Sequence, residues 1–360
     1  MRVLVVNAGS SSLKLRILDD EYAVLASHDL ELPDGRVDRS AVVEALAELP
    51  VADAVGHRVV HGGSRYLGPV RITAEVEAAI GALRSLAPLH QDRALVGIEA
   101  VGSVYPNLPA VACFDTAFHA GLPAGAAAYA LPADWVKQHG LRRFGFHGLS
   151  HAHVARSVAE LTGRLDGRIV SCHLGAGASL AAIRDGRSVD TTMGFTPLDG
   201  LVMATRSGAV DPGLLLWLLR EADVSIEDLN SGLEHRSGLL GLSGTPDMRV
   251  LLARDDETAR TALDVYIHRL RGAIASMAAA MNGLDVLAFT GGVGERAAPV
   301  RAAAAAGLGF LGVTLDQARN AHASADTGTG IAGADSAVKV FVIEAGEDAE
   351  IARQVQDLLS

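Results

Sequence analysis

The chain has 360 residues and a formal net charge of −11, from 31 Lys and Arg against 42 Asp and Glu. The two signs are interspersed, so no basic cluster is available to neutralise nucleic-acid phosphates. No apolar run reaches the roughly 18 residues that a membrane-spanning helix needs. The length suits two domains of ordinary size.

The compartment is predicted from the start of the chain and from its cysteines. Residues 1–6 lead straight into a strand-like apolar run, without the charged start and cleavage site of a secretory leader. Cys113 and Cys172 each lie in an apolar run, which favours buried free thiols over a disulfide. We therefore expect a reducing, cytoplasmic location.

Strand-like and helical segments alternate along the chain. The pattern predicts strands at 3–7, 13–18, 54–60, 111–114, 169–174, 180–183, 286–290 and 338–343, and helices at 40–49, 74–86, 259–281 and 349–359. Ser40 is the expected N-cap of the first helix. Such alternation predicts an α/β protein built on mixed sheets.

The second half of the chain partly repeats the first. Residues 5–13 and 170–180 each read as an apolar strand, a turn of small residues and a strand that opens on Ser-Leu. An acidic turn follows both. Chance similarity of two Gly-Ser hairpins is one explanation, and two similar domains that present their turns to a shared cleft are the other.

Gly-rich turns follow three of the predicted strands, at residues 7–12, 175–179 and 290–295. Small residues let the backbone approach an anion, and turn N–H groups can cradle phosphate oxygens. Each turn alone is more often only a turn. None matches the Walker pattern or the full dinucleotide fingerprint. Three together predict a nucleotide site, for ATP rather than NAD.

Arginines and histidines add candidates for an anionic substrate. Arg58 and Arg206 stand among small or apolar neighbours, where a guanidinium either pairs with an anion or makes a structural ion pair. His147 and His151 have a spacing that could hold zinc on a helix, but no third ligand is evident. A His that donates to a phosphoryl oxygen is the better interpretation.

A series of motifs in fixed order resembles the acetate kinase family over nearly the whole chain. The two signature-like segments are Val-Asn-Ala-Gly-Ser-Ser-Ser-Leu-Lys at 6–14 and Arg-Arg-Phe-Gly-Phe-His-Gly-Leu-Ser-His at 142–151. Further matching segments lie at 57–63, 86–90, 114–119, 193–198, 205–208 and 237–244. The resemblance implies reversible phosphoryl transfer between ATP and acetate, giving acetyl phosphate and ADP.

The resemblance also implies an architecture. It is the duplicated α/β fold of actin, Hsp70 and sugar kinases, with two similar domains around a nucleotide cleft. Residues 1–116 would form the first domain together with a returning C-terminal helix at 348–360, and residues 117–347 would form the second. Family members are homodimers that use Mg²⁺.

Site residues carry over by their motifs. Asn7 and Glu347 would hold Mg²⁺, and Asp115, His147, Arg206 and Arg58 would be the catalytic residues. Arg58 would also pair with the substrate carboxylate, beside a methyl pocket of Val60, Leu89 and Pro197. The nucleotide would be bound by Lys14, Ser10, Ser12, His173, Leu174, Gly175, Ala176, Gly177, Asp247, Met248, Arg249, Gly292, Val293, Gly294, Glu295 and Arg296.

The chemistry suits these residue types. Acetate is ionised at neutral pH, because carboxyl pKa values lie near 4. It therefore needs no general base, and catalysis reduces to positioning and charge cancellation. Asp115 is interpreted first as an organiser of a Mg²⁺-bound water or of an arginine, and second as a proton-transfer group.

The chain departs from the family pattern in four places. Ala176 stands where the family usually has Asn, Ala209 replaces an Asp, Arg296 replaces an Asn, and residues 344–346 read Glu-Ala-Gly instead of Pro-Thr-Asn/Asp. Two alternatives therefore accompany the main prediction. One is a kinase that prefers propionate or butyrate, and the other is a weakened paralogue that binds nucleotide or acyl phosphate without turnover.

Overall fold

The computed structural model describes residues 1–8, 12–31, 39–164, 166–326 and 328–360. The chain divides into two compact units. The first comprises Met1–Ala120, Phe146–His153 and Gly346–Ser360, and the second comprises Gly121–Gly145 and Val154–Ala345. The domain boundaries inferred from the sequence stay a prediction. Within the described part of the chain, no helix is both long enough and apolar enough to cross a membrane.

The first unit is built on a six-stranded mixed sheet. Its strands are β1 (Val3–Ala8), β2 (Ser12–Leu18), β3 (Val24–Glu31), β4 (Ala54–Val59), β5 (Val70–Arg71) and β6 (Ala110–Phe114), in the order β3-β2-β1-β4-β6-β5. Parallel pairing joins β1, β4 and β6 at the centre of the sheet. Every residue of β1 is buried, as expected for a central strand covered on both faces.

The second unit repeats this plan. Its strands are β7 (Arg168–Leu174), β8 (Ala178–Arg184), β9 (Arg187–Thr191), β10 (Val286–Thr290), β11 (Thr329–Gly330) and β12 (Lys339–Val342), in the order β11-β12-β10-β7-β8-β9. The hairpin of β1 and β2 corresponds to that of β7 and β8, and parallel β4 corresponds to β10. The predicted duplicated α/β fold is confirmed.

Helices connect and cover the sheets. In chain order they are α1 (Arg39–Ala47), α2 (Ala74–Ala82), α3 (Pro88–Val104), α4 (Ala124–Ala127), α5 (Ala133–His139), α6 (Gly148–Thr162), α7 (Pro212–Glu221), α8 (Ile226–His235), α9 (Gly238–Ser243), α10 (Met248–Leu252), α11 (Glu257–Ala280), α12 (Gly291–Arg296), α13 (Ala298–Ala306), α14 (Gln317–Ala321) and α15 (Glu347–Leu359). In the first unit, α1 and α3 share one core with the sheet and α15 shares another.

The close packing of α15 depends on one glycine. A Cβ at Gly56 on β4 would lie 2.5 Å from Ile351 Cγ2 and 2.8 Å from Val355 Cγ2. The bare backbone lets α15 approach the sheet, and the helix begins at Glu347. Residue 347 is thereby brought to the ends of β1 and β4.

Two helix predictions are corrected. The helix predicted at 40–49 begins at Arg39, so Ser40 lies inside it and is not its N-cap. The helix predicted at 74–86 ends at Ala82, and Arg84–Leu86 form a 3₁₀ turn. The N–H of Leu83 bonds back to the carbonyl of Ile80. That tightening of the last turn stops the α-helix.

Candidate active site

Arg58 is the centre of a polar cluster in the first unit. Its Nε lies 3.0 Å from Asp115 Oδ1 and its Nη2 lies 2.7 Å from Asp115 Oδ2, a two-point contact. Its Nη1 donates to Asn7 Oδ1 at 3.1 Å and lies 3.2 Å from Glu347 Oε2. Four of the residues assigned from the sequence therefore meet in one cluster.

Asn7 joins this cluster to the start of α15. Its Nδ2 donates to Glu347 Oε2 at 3.1 Å and to Asp348 Oδ1 at 3.0 Å. Lys14 faces Asn7 directly across the β1–β2 pair. Its side chain makes no ion pair among the described residues and is exposed. A cation thus stands beside the amide and the two carboxylates.

Burial sets the electrostatics of the cluster. The side chains of Arg58 and Asp115 are only 13% and 2% exposed. Burial alone would lower the pKa of Arg58, but the charges of Asp115 and Glu347 hold it above its ordinary value. Burial also raises the pKa of Asp348, against the hydrogen bond from Asn7. The guanidinium is therefore a permanent cation among carboxylates that each cost free energy to desolvate.

The backbone at 147–148 is built against Asp115. His147 has a φ of 54°, a left-handed conformation that is uncommon for a residue with a side chain. Its backbone N–H donates to the Asp115 carboxylate, and the N–H of Gly148 donates to the Asp115 carbonyl at 2.9 Å. A Cβ at Gly148 would collide with that carbonyl oxygen. The left-handed turn thus fixes His147 beside Asp115.

Histidines line the interior of the first unit. His57 is 2% exposed, and His61 and His119 are fully buried. Burial lowers the pKa of His57 to about 3 and those of His61 and His119 to about 4. His61 Nδ1 accepts the N–H of Gly63 at 2.8 Å, so that ring is held as a neutral acceptor. These three histidines are therefore neutral side chains packed in the interior of the first unit.

Arg206 is the candidate cation of the second unit. Its Nη1 donates to the Pro197 carbonyl at 3.2 Å, and its Nε lies 3.4 Å from Glu234 Oε2. Among the described residues, none accepts a hydrogen bond from its Nη2. Burial lowers the pKa of Arg206, because desolvation outweighs the charge of Glu234. An incoming anion would compensate this cation.

The second hairpin turn is tied to the Arg206 segment. Gly175 donates its N–H to the Gly177 carbonyl at 3.0 Å, and Ala204 donates its N–H to the Ala176 carbonyl at 3.0 Å. The N–H groups of Ala176 and Gly177 have no partner among the described residues. Of the N–H groups of residues 175–177, that of Gly175 is therefore used internally, and those of Ala176 and Gly177 are available to meet a phosphate.

The third Gly-rich turn lies against the second. Gly291 has a φ of 74°, and a Cβ there would lie 2.8 Å from the Leu174 carbonyl oxygen. Residues Thr290 and His173 are paired in register at the ends of β10 and β7. The structure therefore brings the predicted nucleotide residues 173–177 and 292–296 to adjoining strand ends.

The remaining assigned residues are placed separately. Asp247 caps α10 by accepting the N–H of Arg249 at 2.8 Å, and its carboxylate pairs with the exposed Arg249 side chain. That hydrogen bond and pairing lower the pKa of Asp247 to about 2. No hydrogen bond among the described residues joins this pair to α12. Val60, the residue that follows β4, is buried. Ser10 lies outside the described residues, as does the side chain of Leu89, while Ser12 opens β2.

A magnesium site fits the donor set at the start of α15. Mg²⁺ prefers oxygen ligands and is usually held by one or two carboxylates while keeping waters and binding substrate phosphates. Glu347 and Asp348 supply two carboxylates beside Asn7. No group of three or more His, Cys, Asp and Glu side chains in the described ranges is arranged to hold a metal by itself. The arrangement thus suits an ion shared with phosphate.

Sequence reasoning missed Asp348 as a member of the cluster and Glu234 as the partner of Arg206. Asp348 adjoins Glu347, and paired acidic residues at a helix start are a signal that could have identified it. Glu234 lies in α8, far along the chain from Arg206, and no local pattern connects the two.

Known proteins match this chain along its length. The Acetokinase family matches residues 36–353. An acetate kinase from a Synechococcus species is 50% identical over 404 residues, with 100% of this chain and 99% of that protein covered. The crystal structure of Porphyromonas gingivalis acetate kinase has a TM-score of 0.91 at 35% identity and covers 100% of both chains. A propionate kinase structure from Francisella tularensis has a TM-score of 0.91 at 34% identity and covers 99% of both.

Proposed function

Since this chain belongs to the acetokinase family, we propose that it transfers a phosphoryl group reversibly between ATP and acetate, giving acetyl phosphate and ADP. The chain is accordingly an ATP-dependent kinase whose acceptor is a carboxyl group. The observation that carries the proposal is the cluster of Arg58, Asp115, Asn7 and Glu347. It combines a fixed cation with oxygen ligands for a phosphate-bound ion.

Asp115 serves to organise an arginine in this proposal. Both of its carboxylate oxygens accept from Arg58, and His147 adds a backbone donor. A group so fully engaged is poorly placed to accept a proton from substrate, and an ionised acetate has none to give. Asp115 therefore holds Arg58 in place while the reaction proceeds by positioning and charge cancellation.

The two arginines divide the anionic groups between them. The Nη1 of Arg206 donates to the Pro197 carbonyl while its Nη2 has no acceptor among the described residues, so we assign Arg206 to the transferring phosphoryl group. To bind the acetate carboxylate, Arg58 would give up its contact with one of its present partners. The assignment of Val60, Leu89 and Pro197 to the methyl of the substrate stays a prediction from their motifs. His147, held by the left-handed turn, would donate to a phosphoryl oxygen.

Mg²⁺ is the proposed cofactor. When bound, it would neutralise developing charge on the phosphate oxygens. Glu347, with Asn7 and Asp348 next to it, would hold the ion or its waters. Lys14 and Ser12 are the proposed phosphate contacts of the first unit. The N–H groups of Ala176 and Gly177, which have no partner among the described residues, are those of the second.

We also propose a cytoplasmic homodimer, which would use α7 as its contact surface. This helix has no buried residue although it is mostly apolar: Leu214, Leu216 and Trp217 are 47%, 49% and 54% exposed. Ile226, at the start of the adjoining α8, is 71% exposed. Exposed large apolar side chains grouped on one helix often mark a protein contact, and a second copy supplies a matching face.

A propionate kinase is the second candidate, because the Francisella tularensis enzyme is as similar in structure as the acetate kinase from Porphyromonas gingivalis. One experiment distinguishes these candidate functions. ADP formation is followed with acetate, propionate and butyrate, with and without Mg²⁺. We expect the highest kcat/KM with acetate. A higher value with propionate would favour the second candidate, and ATP binding without turnover would indicate a weakened paralogue.

A further inference from the structure

Arg301 is a buried arginine that the reaction described above does not use. It lies on α13, is 1% exposed and is the largest of the fully buried side chains. Its Nε donates to Asn320 Oδ1 at 2.8 Å and its Nη2 donates to the Asn320 carbonyl at 2.7 Å. Asn320 is itself 2% exposed and donates from Nδ2 to the Ala298 carbonyl at 3.0 Å. The guanidinium is therefore oriented by a buried amide.

The third nitrogen of this guanidinium reaches the end of α12. Nη1 donates to the carbonyls of Gly294 and Glu295, both at 2.8 Å. These carbonyls lie in the last turn of α12, where carbonyl acceptors have no N–H donor within the helix. A cation at a helix C-terminus is also favoured by the helix dipole. Arg301 thus caps the C-terminal end of α12.

A glutamate secures the other end of the same short helix. Glu295 Oε1 accepts the N–H of Gly291 and that of Ala345, both at 3.0 Å. The helix is consequently held at its start by a carboxylate and at its end by a guanidinium. A six-residue helix has too few internal hydrogen bonds to keep its geometry without such support.

The cost of this arrangement indicates a purpose beyond packing. No carboxylate among the described residues pairs with Arg301, and all of its acceptors are neutral oxygens. Burial lowers the pKa of Arg301 to about 10, so the side chain is still charged at neutral pH. A buried cation with neutral partners costs more free energy than an apolar side chain would at this position.

We propose that Arg301, oriented by Asn320, is a positioning residue for nucleotide binding, because it fixes the α12 turn that carries residues 292–296. The inference rests on the proposed function, which assigns that turn to the nucleoside. Arg301 contacts no substrate in this scheme. Its effect is on the ATP affinity and not on the acetate step.

The test compares Arg301→Met with a matched variant, Arg271→Met. Arg271 also donates from a helix of the second unit to a carbonyl of α13, that of Ala303, but does not reach α12. ATP affinity is measured by titration calorimetry, the KM values for ATP and acetate are determined separately, and thermal unfolding is followed by circular dichroism. For Arg301→Met we expect a roughly ten-fold weaker ATP affinity, as for loss of a charged hydrogen bond, and an unchanged acetate KM. Arg271→Met should leave ATP affinity at the wild-type value.

Two further variants keep the test decisive. Arg301→Lys retains the charge and can reach one carbonyl, so it should recover part of the affinity. Asn320→Ala removes the orienting amide and should also weaken ATP binding. It provides a second test of the inference if Arg301→Met does not fold. Wild-type ATP affinity in folded Arg301→Met or in Asn320→Ala would overturn the inference. Failure of the wild-type protein to bind ATP would instead overturn the proposed function.

Discussion

Arg58 and Asp115 are joined at two points, with Nη2 to Oδ2 at 2.7 Å and Nε to Oδ1 at 3.0 Å, in a setting that is nearly closed to solvent. Removing one partner of such a pair leaves the other charge buried and uncompensated. The pair therefore behaves as one unit, and a variant of either residue has to be interpreted with the other in mind.

The first prediction concerns the acetate carboxylate. Arg58→Ala should raise the acetate KM by roughly ten-fold or more, because a hydrogen bond to a charged group contributes about 1.5–3 kcal/mol, and should leave ATP binding nearly unchanged. Arg168→Ala is the matched control. Arg168 makes the same two-point contact with Asp285, but both side chains are partly exposed.

Steady-state kinetics and nucleotide titration of both variants provide the measurement. A drop in ATP affinity equal to the rise in acetate KM would mean that Arg58 acts only through Asn7 and Glu347. An unchanged acetate KM would remove Arg58 from the carboxylate site.

The second prediction concerns the hairpin turn at residues 175–177, which is proposed to meet a phosphate. Ala176→Asn should change kcat little, because the N–H groups of Ala176 and Gly177 are available to phosphate without a side-chain donor. Deleting a single donor from oxyanion-type sites costs about 2.7–4 kcal/mol elsewhere, so a true deficit would be large. A hundred-fold gain in kcat for the variant would show that the loop is deficient and that the protein is a weakened kinase.

The third prediction concerns acid stability. Burial holds the pKa values of His57, His61 and His119 at about 3, 4 and 4, below the ordinary value of 6.5. The unfolded chain then binds more protons below pH 6.5, so stability is complete above that pH and falls as the pH drops towards 4. Each histidine should contribute a slope of up to about 1.4 kcal/mol per pH unit.

Urea unfolding at pH 7, 6 and 5 measures this slope. A His119→Asn variant should show a smaller loss between pH 7 and pH 5 than the wild type. Equal losses in the two proteins would mean that His119 does not carry the linkage.

The fourth prediction concerns assembly. Trp217→Glu places a charge among the exposed apolar side chains of α7 and should convert the proposed dimer into monomers in sedimentation experiments. Phe310→Glu is the control, since Phe310 is 75% exposed on a short turn away from α7 along the chain. A monomeric wild-type protein would contradict the dimer. A dimer that survives Trp217→Glu would place the contact on another face.

Sequence alone anticipated the fold from its central strands and from the repeated hairpin. β1 and β10 are fully buried and therefore read as continuous apolar runs, which are easy to identify. β3 alternates between half-buried and exposed positions and carries no comparable signal. The edge strands β5 and β11 have two residues each, too few for any periodicity.

The candidate site was identified by motif rather than by physical pattern. Arg58 stood out as a charge in an apolar frame and Asp115 was assigned by its motif, yet nothing local indicated that they bond to each other across neighbouring strands. Arg301 follows Val300 in an Ala-rich segment, and an arginine there looks like an ordinary exposed helix residue. Only the packing of α14 against α13 reveals its burial.

The hydrogen bond between Asn7 and Glu347 joins two residues that are synthesised at widely separated times. Asn7 leaves the ribosome 340 positions before Glu347, an interval on the order of tens of seconds at ordinary elongation rates. Throughout that interval the sheet face against which Ile351 and Val355 pack is uncovered. The second unit, complete by Ala345, can fold within the same period. The nascent first unit therefore exposes this apolar face while the second unit is being synthesised, and the contact between Asn7 and Glu347 forms only after both units have left the ribosome.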